Sequence, residues 1–149
     1  MADDATSVQD AGWLELPSDV ARAADGASRP AFDDVRFSLD TPAAGAVVDL
    51  ARTQGCSVRV VCGVAWALVL ARLGGQDHFS IGSGAGGSMH PLRADLRGDP
   101  SLGTLLARFD QALRDADAQG APATGTAALP AGFRFGSLQP SAHGGDLLP

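Results

Sequence analysis

The sequence contains neither tyrosine nor lysine, and only 5% of its 149 residues are aromatic. Because large rings are so scarce, the hydrophobic core has to be built mainly from Val, Leu and Ala, which favours helices packed on a sheet over an aromatic-rich sandwich. Apolar residues still make up 45% of the chain, which is enough to support a folded protein. The length fits one domain that needs no disulfide bonds to fold.

Positive charge is scarce as well. All basic residues are arginines, and the formal net charge is −6. Nucleic acids and anionic membranes attract proteins chiefly through Lys and Arg, so we expect neither as a partner. The stretch at residues 1–11 is acidic and lacks the basic and apolar parts of a secretory signal. It predicts a disordered N-terminus and a cytoplasmic protein.

Few motifs indicate chemistry. We interpret Cys56 and Cys62 as two reduced thiols, because the second lies in an apolar helical run. The stretch Gly82–Gly87 matches GxGxxG, but strand-like residues follow it, so we interpret it as a flexible hairpin loop. Asp77 does not orient His78 as a base, because neighbours on a strand point to opposite faces. We predict no catalytic, cofactor-binding or metal-binding residues.

The most informative stretch is an apolar run without charge. No charged residue occurs from Val60 to Ala71, and an arginine brackets the run at each end. It is shorter than the roughly 20 residues of a membrane span and fits a buried helix of about four turns. We expect this helix, roughly Ser57–Leu73, to be covered on most sides and to hold Trp66 in the core.

The flanking sequence predicts the remaining elements. They are a strand at Val35–Leu39, a helix capped by Thr41 and ended by Gly55, strands around Phe79–Ile81 and Leu92–Arg97, and a helix capped by Asp99 and ended by Gly120. The predicted fold is α/β, an α+β sandwich of about three helices on a small mixed sheet. We assign it to residues 12–120, followed by a Pro/Gly-rich tail at residues 121–149 with a candidate edge strand at 133–138.

Three stretches, in this order, resemble the C-terminal lobe of a nonribosomal peptide synthetase condensation domain, of the chloramphenicol-acetyltransferase-like superfamily. Residues 64–77 with Ile81-Gly82 are the most specific, residues 91–101 running into 105–108 are the second, and residues 14–17 with 37–39 are the third. The resemblance covers about residues 13–120. It implies half of a condensation domain, one lobe of a two-lobed, V-shaped enzyme.

The chain departs from that family where its chemistry lies. The catalytic His-His-x-x-x-Asp-Gly motif belongs to the other lobe, and His78, His90 and His143 are isolated here. The family's Ala-Gly-Arg element and its Phe-x-Asn-Thr segment precede Pro-Leu-Arg, whereas residues 85–90 here are Ala-Gly-Gly-Ser-Met-His. The resemblance therefore implies a truncated protein that is not an enzyme.

In the family, this lobe is a platform for the following adenylation domain, close to the Leu-Pro linker. The resemblance thus implies a structural or docking module in nonribosomal peptide biosynthesis, with an adenylation enzyme or another synthetase domain as partner. Trp13, Leu14 and Leu16 form the candidate partner interface, although Trp13 also fits an intramolecular anchor. Self-association is open too, through the sheet face and edge that the missing lobe would cover.

Two alternatives stay open at this point. The chain fits one half of a split condensation enzyme or acyltransferase, whose catalytic His-His-x-x-x-Asp-Gly lobe is on another chain. It also fits a protein that binds a carrier protein without catalysis. A neighbouring gene for a matching catalytic lobe would favour the split enzyme, and one for a stand-alone adenylation enzyme would favour the docking module.

Overall fold

The computed structural model describes residues 12, 14–17, 35–84, 90–118 and 131–136. The elements in chain order are α1 (Thr41–Gln54), α2 (Val58–Gly74), β1 (His78–Gly84), β2 (His90–Asp95), α3 (Leu102–Ala118) and β3 (Gly132–Arg134). This arrangement confirms the predicted α/β fold of three helices and a small mixed sheet. Gly120, the predicted end of α3, lies outside the described residues.

The sheet has the strand order β2-β1-β3, with β2 antiparallel and β3 parallel to β1. Backbone hydrogen bonds occupy both edges of β1, as two amides show. On one side the Leu96 amide donates to the Asp77 carbonyl at 2.7 Å, and on the other the Gly82 amide donates to the Ala131 carbonyl at 2.8 Å. The first residues of the GxGxxG match therefore belong to a buried strand, because β1 continues to Gly84. This corrects the loop interpretation for Gly82–Gly84, while residues 85–89 lie outside the described part.

The core is one cluster to which the helices and the two longer strands contribute. Its buried apolar residues are Leu14, Ala51, Val60, Val61, Val64, Ala67, Leu70, Phe79, Ile81, Leu92, Ala94, Leu106, Phe109, Leu113 and Ala116. Alternation explains the contribution of β2, because Leu92 and Ala94 are buried while Arg93 between them is only half-buried. Small and branched side chains dominate, as the lack of aromatic residues predicted.

Helix α2 is covered on one side only, so the expectation that Trp66 belongs to the core is wrong. The side chains of Val64 and Ala67 are buried, but Trp66 is 38% exposed. Trp66 follows Val64 by two residues, which places it about 200° away around the helix. The uncharged sequence predicted an enclosing core, yet the described elements cover only the opposite face of this helix.

The predicted strand at Val35–Leu39 is also wrong. These residues are extended, but they belong to no strand, and Val35 and Phe37 are 85% and 84% exposed. A strand needs a neighbour with free backbone groups. In the described structure both edges of β1 are used, and the Arg108 side chain donates to the carbonyls of Asp95 and Arg97 at 3.4 and 3.1 Å, beside the outer edge of β2.

Both predicted caps next to proline are shifted by one or two residues. Asp40, not Thr41, caps α1, because its Oδ1 accepts the backbone N–H three residues on at 2.8 Å. Ser101, not Asp99, caps α3 in the same way through its Oγ at 3.3 Å. Asp99 instead directly follows a turn at Arg97 and Gly98 and has a φ of 48°. The predicted ends of α1 and α2 agree with the structure, since left-handed glycines follow both helices.

No single helix among the described residues is long and apolar enough to cross a membrane. Helices α1 and α2 pass such a test only as a pair, by length and composition, and they are bent by 107° where they meet.

Gly63 lies at a close approach of α2 to α3. A Cβ built on Gly63 would overlap the ring of Phe109, which is itself buried. Gly45, in the middle of α1, is the opposite case, because nothing lies within 4 Å of a Cβ built there. Alanine at position 45 therefore changes helix propensity alone, whereas alanine at position 63 also changes the packing of α2 on α3.

We expect Gly63→Ala to lower the free energy of unfolding by about 1 to 3 kcal/mol, because the added methyl group displaces the Phe109 ring. Gly45→Ala is the matched control and should raise it by about 0.5 to 1 kcal/mol, since alanine favours the helix and meets no neighbour. Urea unfolding followed by circular dichroism measures both. Stabilisation by Gly63→Ala would contradict the α2–α3 contact.

Candidate docking surface

The N-terminal segment, Gly12 and residues 14–17, is fastened to the start of β1. The Gly12 carbonyl accepts a hydrogen bond from the Ser80 amide at 3.2 Å. The Glu15 amide donates to Oε1 of Gln76 at 2.7 Å. These bonds place the segment beside β1 and the end of α2 and fix its path over the surface.

The structure separates the three residues of the predicted partner interface. Leu14 is only 3% exposed, and its Cδ1 lies 3.1 Å from a Cβ built on Gly74, so it is a core residue of this chain and faces no partner. Leu16 is 40% exposed and remains open to one. Trp13 lies outside the described residues. The sequence around Pro17 does not distinguish the buried Leu14 from the exposed Leu16, because both are leucines in the same short apolar group.

Residues 35–39, named the apolar segment from here on, are the most exposed hydrophobic stretch of the described chain. Val35, Phe37 and Leu39 are 85%, 84% and 53% exposed. The segment leads directly into the cap of α1, where the carbonyl of Asp40 accepts the Ala44 amide at 2.9 Å. One end of the segment is therefore held in place while its apolar side chains meet water.

A second apolar surface lies on α2, away from the core. Cys62, Trp66, Val69 and Leu73, which we name the α2 outer face, follow one another at spacings of four, three and four residues. Trp66, Val69 and Leu73 are 38%, 48% and 57% exposed, and Cys62 is half-buried. Such spacing places the four side chains in one row along the helix. The row contains no charge.

Arg59 ties three elements together at the other end of α2. Its guanidinium donates to both oxygens of Asp117 on α3, at 2.9 and 3.3 Å, and to Oγ of Ser83 on β1 at 3.3 Å. This contact joins the first turn of α2 to the last turn of α3. Sequence reasoning missed it, because neither residue forms a motif and Asp117 fell on the polar side of its helix.

Asp95, the last residue of β2, is paired with an arginine of the same chain. Arg97 donates to both oxygens of Asp95, through Nε at 2.9 Å and NH2 at 2.8 Å. These hydrogen bonds hold the pKa of Asp95 well below its usual range. Asp95 is thus committed to an arginine and does not present a free carboxylate. Within the described ranges, no group of three or more His, Cys, Asp or Glu residues fits a metal ion.

His78 lies opposite Asp95 in the sheet, at the start of β1. Burial, followed by the positive charges of Arg97 and Arg93, lowers the pKa of the imidazole, and only Asp95 and Asp77 oppose this effect. Its Nε2 atom is buried and has no hydrogen-bond partner in the described structure. Desolvation favours the neutral imidazole, and within the described ranges no nucleophile is hydrogen-bonded to it, as a role as a base would require.

The sheet register also places His90 opposite Ser83, a pairing that the sequence did not reveal. Ser83 is 1% exposed, and its hydroxyl accepts from Arg59. No hydrogen bond joins Ser83 to His90 among the residues that the structure describes. A nucleophile needs both access and a base in hydrogen-bond reach, so this pair lacks the geometry of a catalytic dyad.

A groove of about 660 Å³ lies between β2 and α3. Alanine and leucine side chains, among them Ala94, Leu105 and Ala112, supply much of its lining. Its rim carries Asp95 and Arg108, whose polar atoms already bond to Arg97 and to backbone carbonyls. These two charged groups are therefore not free to bind a small ligand in the groove.

No protein-family model matches the chain. Curated relatives are nonetheless similar over much of its length. Malpinin synthetase of Mortierella alpina is 34% identical over 110 residues, or 64% of this chain, and a plipastatin synthase of Bacillus subtilis (strain 168) is 34% identical over 113 residues, or 69% of it. CymA of Salinispora arenicola (strain CNS-205), described as a probable nonribosomal peptide synthetase, is 34% identical over 129 residues, or 71% of this chain.

The matched regions amount to only 1%, 4% and 2% of those three relatives, so the chain spans a small fraction of their length. The crystal structure of SgcC5 from Streptomyces globisporus, in complex with (R)-(−)-1-(2-naphthyl)-1,2-ethanediol and sucrose, has a similar fold. Its TM-score is 0.64 at 22% identity, and the match covers 78% of this chain and 29% of that one. The chain is therefore similar to parts of nonribosomal peptide synthetases, and it shares its α/β fold with SgcC5.

Proposed function

We propose that the chain is a non-catalytic docking module of nonribosomal peptide biosynthesis. Its relation to synthetases supports a role in that biosynthesis and in contacts with other synthetase domains. The finer assignment, an adenylation enzyme as the partner, is our proposal. The observation that carries it is the exposure of the apolar segment, in which Val35 and Phe37 meet water almost completely.

The energetics of the apolar segment favour a partner. Full burial of a Val, Leu or Phe side chain is worth about 1.5 to 3 kcal/mol, so a partner that covers three of them gains several kcal/mol before the costs of association. The alternation of Val35, Phe37 and Leu39 with Arg36 and Ser38 fits an extended strand with one apolar side. Such a segment can add to the sheet edge of another domain, where its backbone finds hydrogen-bond partners.

Leu16 extends the docking proposal to the linker side of the fold. The hydrogen bonds of Gly12 and Glu15 and the buried side chain of Leu14 hold this stretch rigidly. Leu16 is thereby presented to solvent from a fixed backbone, so a partner gains its burial without first ordering the chain. Trp13 stays a predicted interface residue, with Leu16 as its described neighbour.

The electrostatics of the described residues support the non-catalytic part of the proposal. Burial lowers the pKa of His78, Asp95 is held by Arg97, and Ser83 is buried and bonded to Arg59. General acid–base catalysis requires a titratable group in reach of a substrate proton. None of these three groups is both titratable and within reach of a substrate proton.

A second candidate function is one half of a split condensation enzyme. The extent of the fold match is compatible with it, since the chain corresponds to 29% of SgcC5, and in a split enzyme the remainder of the fold would be on another chain. In this case the exposed apolar residues would contact a lobe that carries the His-His-x-x-x-Asp-Gly motif. The two candidates differ in their partner and in whether peptide bonds form when the chains are mixed.

For docking, we expect Phe37→Ser to weaken binding to the proposed partner, an adenylation enzyme, by tenfold or more, about 1.4 kcal/mol. The reason is the loss of the largest apolar side chain of the segment. Leu16→Asp should weaken it further if both surfaces contact the same partner. Isothermal titration calorimetry measures each affinity.

Val48→Ser is the matched control, because Val48 is 44% exposed on α1 and lies outside the apolar segment. It should leave the affinity unchanged. Equal affinities of the Phe37→Ser variant and the wild type, or no binding by the wild type, would contradict the docking proposal.

For catalysis, we expect the purified chain to form no peptide or ester bond between acyl-loaded carrier proteins, because no described group acts as an activated base. Mass spectrometry of the carrier proteins detects any product. Turnover that disappears in the His90→Ala variant would refute this expectation. Turnover that requires a separately purified catalytic lobe would favour the split enzyme instead.

For stability, the lowered pKa of His78 predicts that the free energy of unfolding decreases as the pH falls below 6.5. The unfolded chain takes up the proton first, so protonation favours unfolding, and this contribution is fully present only above that pH. His78→Gln should flatten the change in urea midpoint between mildly acidic and neutral pH. If the urea midpoint of the variant changes with pH as steeply as that of the wild type, groups other than His78 cause the pH dependence.

A further inference from the structure

The N-terminal segment is bound to the domain mainly through one side chain. Leu14 is 3% exposed, whereas the other described residues of the segment, Gly12, Glu15, Leu16 and Pro17, are all exposed. The backbone supplies the remaining contacts, because the Gly12 carbonyl and the Glu15 amide are hydrogen-bonded to the domain. The segment is thus attached as a peptide ligand would be, by one buried side chain and its main chain.

Three residues of the domain receive the backbone of this segment. The Ser80 amide, at the edge of β1, donates to the Gly12 carbonyl at 3.2 Å, and Oε1 of Gln76 accepts the Glu15 amide at 2.7 Å. Gly74 at the end of α2 leaves room for the chain, because a Cβ built there would lie 2.7 Å from the Glu15 carbonyl oxygen. We name these three residues, with the pocket that the leucine side chain fills, the Leu14 site.

The few contacts of the N-terminal segment favour local opening at this place. Segments with few buried apolar contacts separate from a folded domain more readily than its core elements do. Ser80 is 2% exposed, so opening would leave a buried amide without its partner. An empty Leu14 site is therefore unfavourable, and another chain that offers a carbonyl oxygen and a leucine side chain can replace the segment.

We propose that the Leu14 site is a peptide-binding site, occupied here by the chain's own N-terminal segment. Its ligand is an extended segment of a partner protein that contains a leucine, with a backbone carbonyl two residues before it and a backbone amide one residue after it. Proline is excluded at this last position, because it has no amide to donate to Gln76. The apolar segment, which carries the docking proposal, takes no part in this site, so either proposal can fail alone.

Among the described positions, leucine is the one side chain that the Leu14 site selects. Nothing lies within 4 Å of a Cβ built on Gly12, so larger residues fit at that position. Glu15 and Leu16 are exposed, so their side chains are replaceable as well. In sheet-edge recognition the main chain supplies affinity and the pockets supply specificity. The ligand is therefore defined by one leucine on an extended backbone.

Hydrogen exchange in the wild-type chain, followed by NMR, tests whether the N-terminal segment opens. The Ser80 amide faces this segment, while the neighbouring Ile81 amide faces β2, because successive amides of a strand point to opposite edges. We expect the Ser80 amide to exchange at least about tenfold faster than the Ile81 amide. Equal rates would mean that the segment separates only when the domain unfolds, and the proposal would then be wrong.

Fluorescence anisotropy with a labelled peptide, identical in sequence to residues 11–18, tests the site itself. The chain's own segment competes with this peptide at a high effective concentration, so the wild type should bind it weakly. Leu14→Ser removes the side chain that fills the pocket, and we expect this variant to bind the peptide at least about tenfold more tightly. A peptide with the same Leu14→Ser change should bind to neither chain.

Leu102→Ser is the matched control, because Leu102 is 45% exposed on α3 and lies outside the N-terminal segment. This variant should bind the peptide as weakly as the wild type. Circular dichroism verifies that the Leu14→Ser variant is folded. If it does not fold, the exchange rates of Ser80 and Ile81 in the wild type decide the question.

A second substitution in the Leu14→Ser background locates the bound peptide. Gly74→Ala places a methyl group where the backbone of the peptide would pass, so we expect peptide binding to weaken by about tenfold or more. Gly45→Ala in the same background meets nothing within 4 Å and should leave the affinity unchanged.

Two binding results would overturn the proposal. One is a folded Leu14→Ser variant that binds the peptide no more tightly than the wild type does. The other is binding to the Leu14→Ser variant that persists unchanged after Gly74→Ala, because the peptide would then lie at another place on the domain.

Discussion

Strand β1 needs a hydrogen-bonding neighbour on each side, and the described fold is arranged to supply both. All residues from Phe79 to Gly84 are buried, so an unpaired backbone group on this strand would carry a large desolvation cost. Strand β2 pairs with one edge, while β3 and Gly12 pair with the other. The short N-terminal and C-terminal segments are therefore structural parts of the sheet, however few residues they contribute.

The sequence predicted the helices well, because their signals are local. Gly55 and Gly75 follow their helices in the left-handed conformation, and Ser57 caps α2. The fold class followed from the same periodicities. Trp66 was placed wrongly because periodicity shows how apolar a helix face is, whereas coverage depends on how many neighbouring elements exist. Val35–Leu39 failed for the same reason, since its alternation is that of a strand but no strand of the described sheet pairs with it.

The candidate surface was predicted only in part. Leu16 is exposed, but Leu14 lies in the core, a difference set by the hydrogen bonds of Gly12 and Glu15 to residues more than sixty positions away. The contact of Arg59 with Asp117 joins residues 58 positions apart. No short motif encodes such pairs. The relation to synthetases, in contrast, was visible from three short stretches, because it depends on local sequence rather than on which side chains meet.

Arg108 has a consequence for the behaviour of the chain in concentrated solution. By bonding to the carbonyl oxygens of Asp95 and Arg97, it occupies acceptors that an incoming strand would use, and Pro91 offers no amide near the start of β2. Sheet growth from this edge is thereby hindered. The exposed side chain of Phe37 is thus not accompanied by a fully open strand edge on β2.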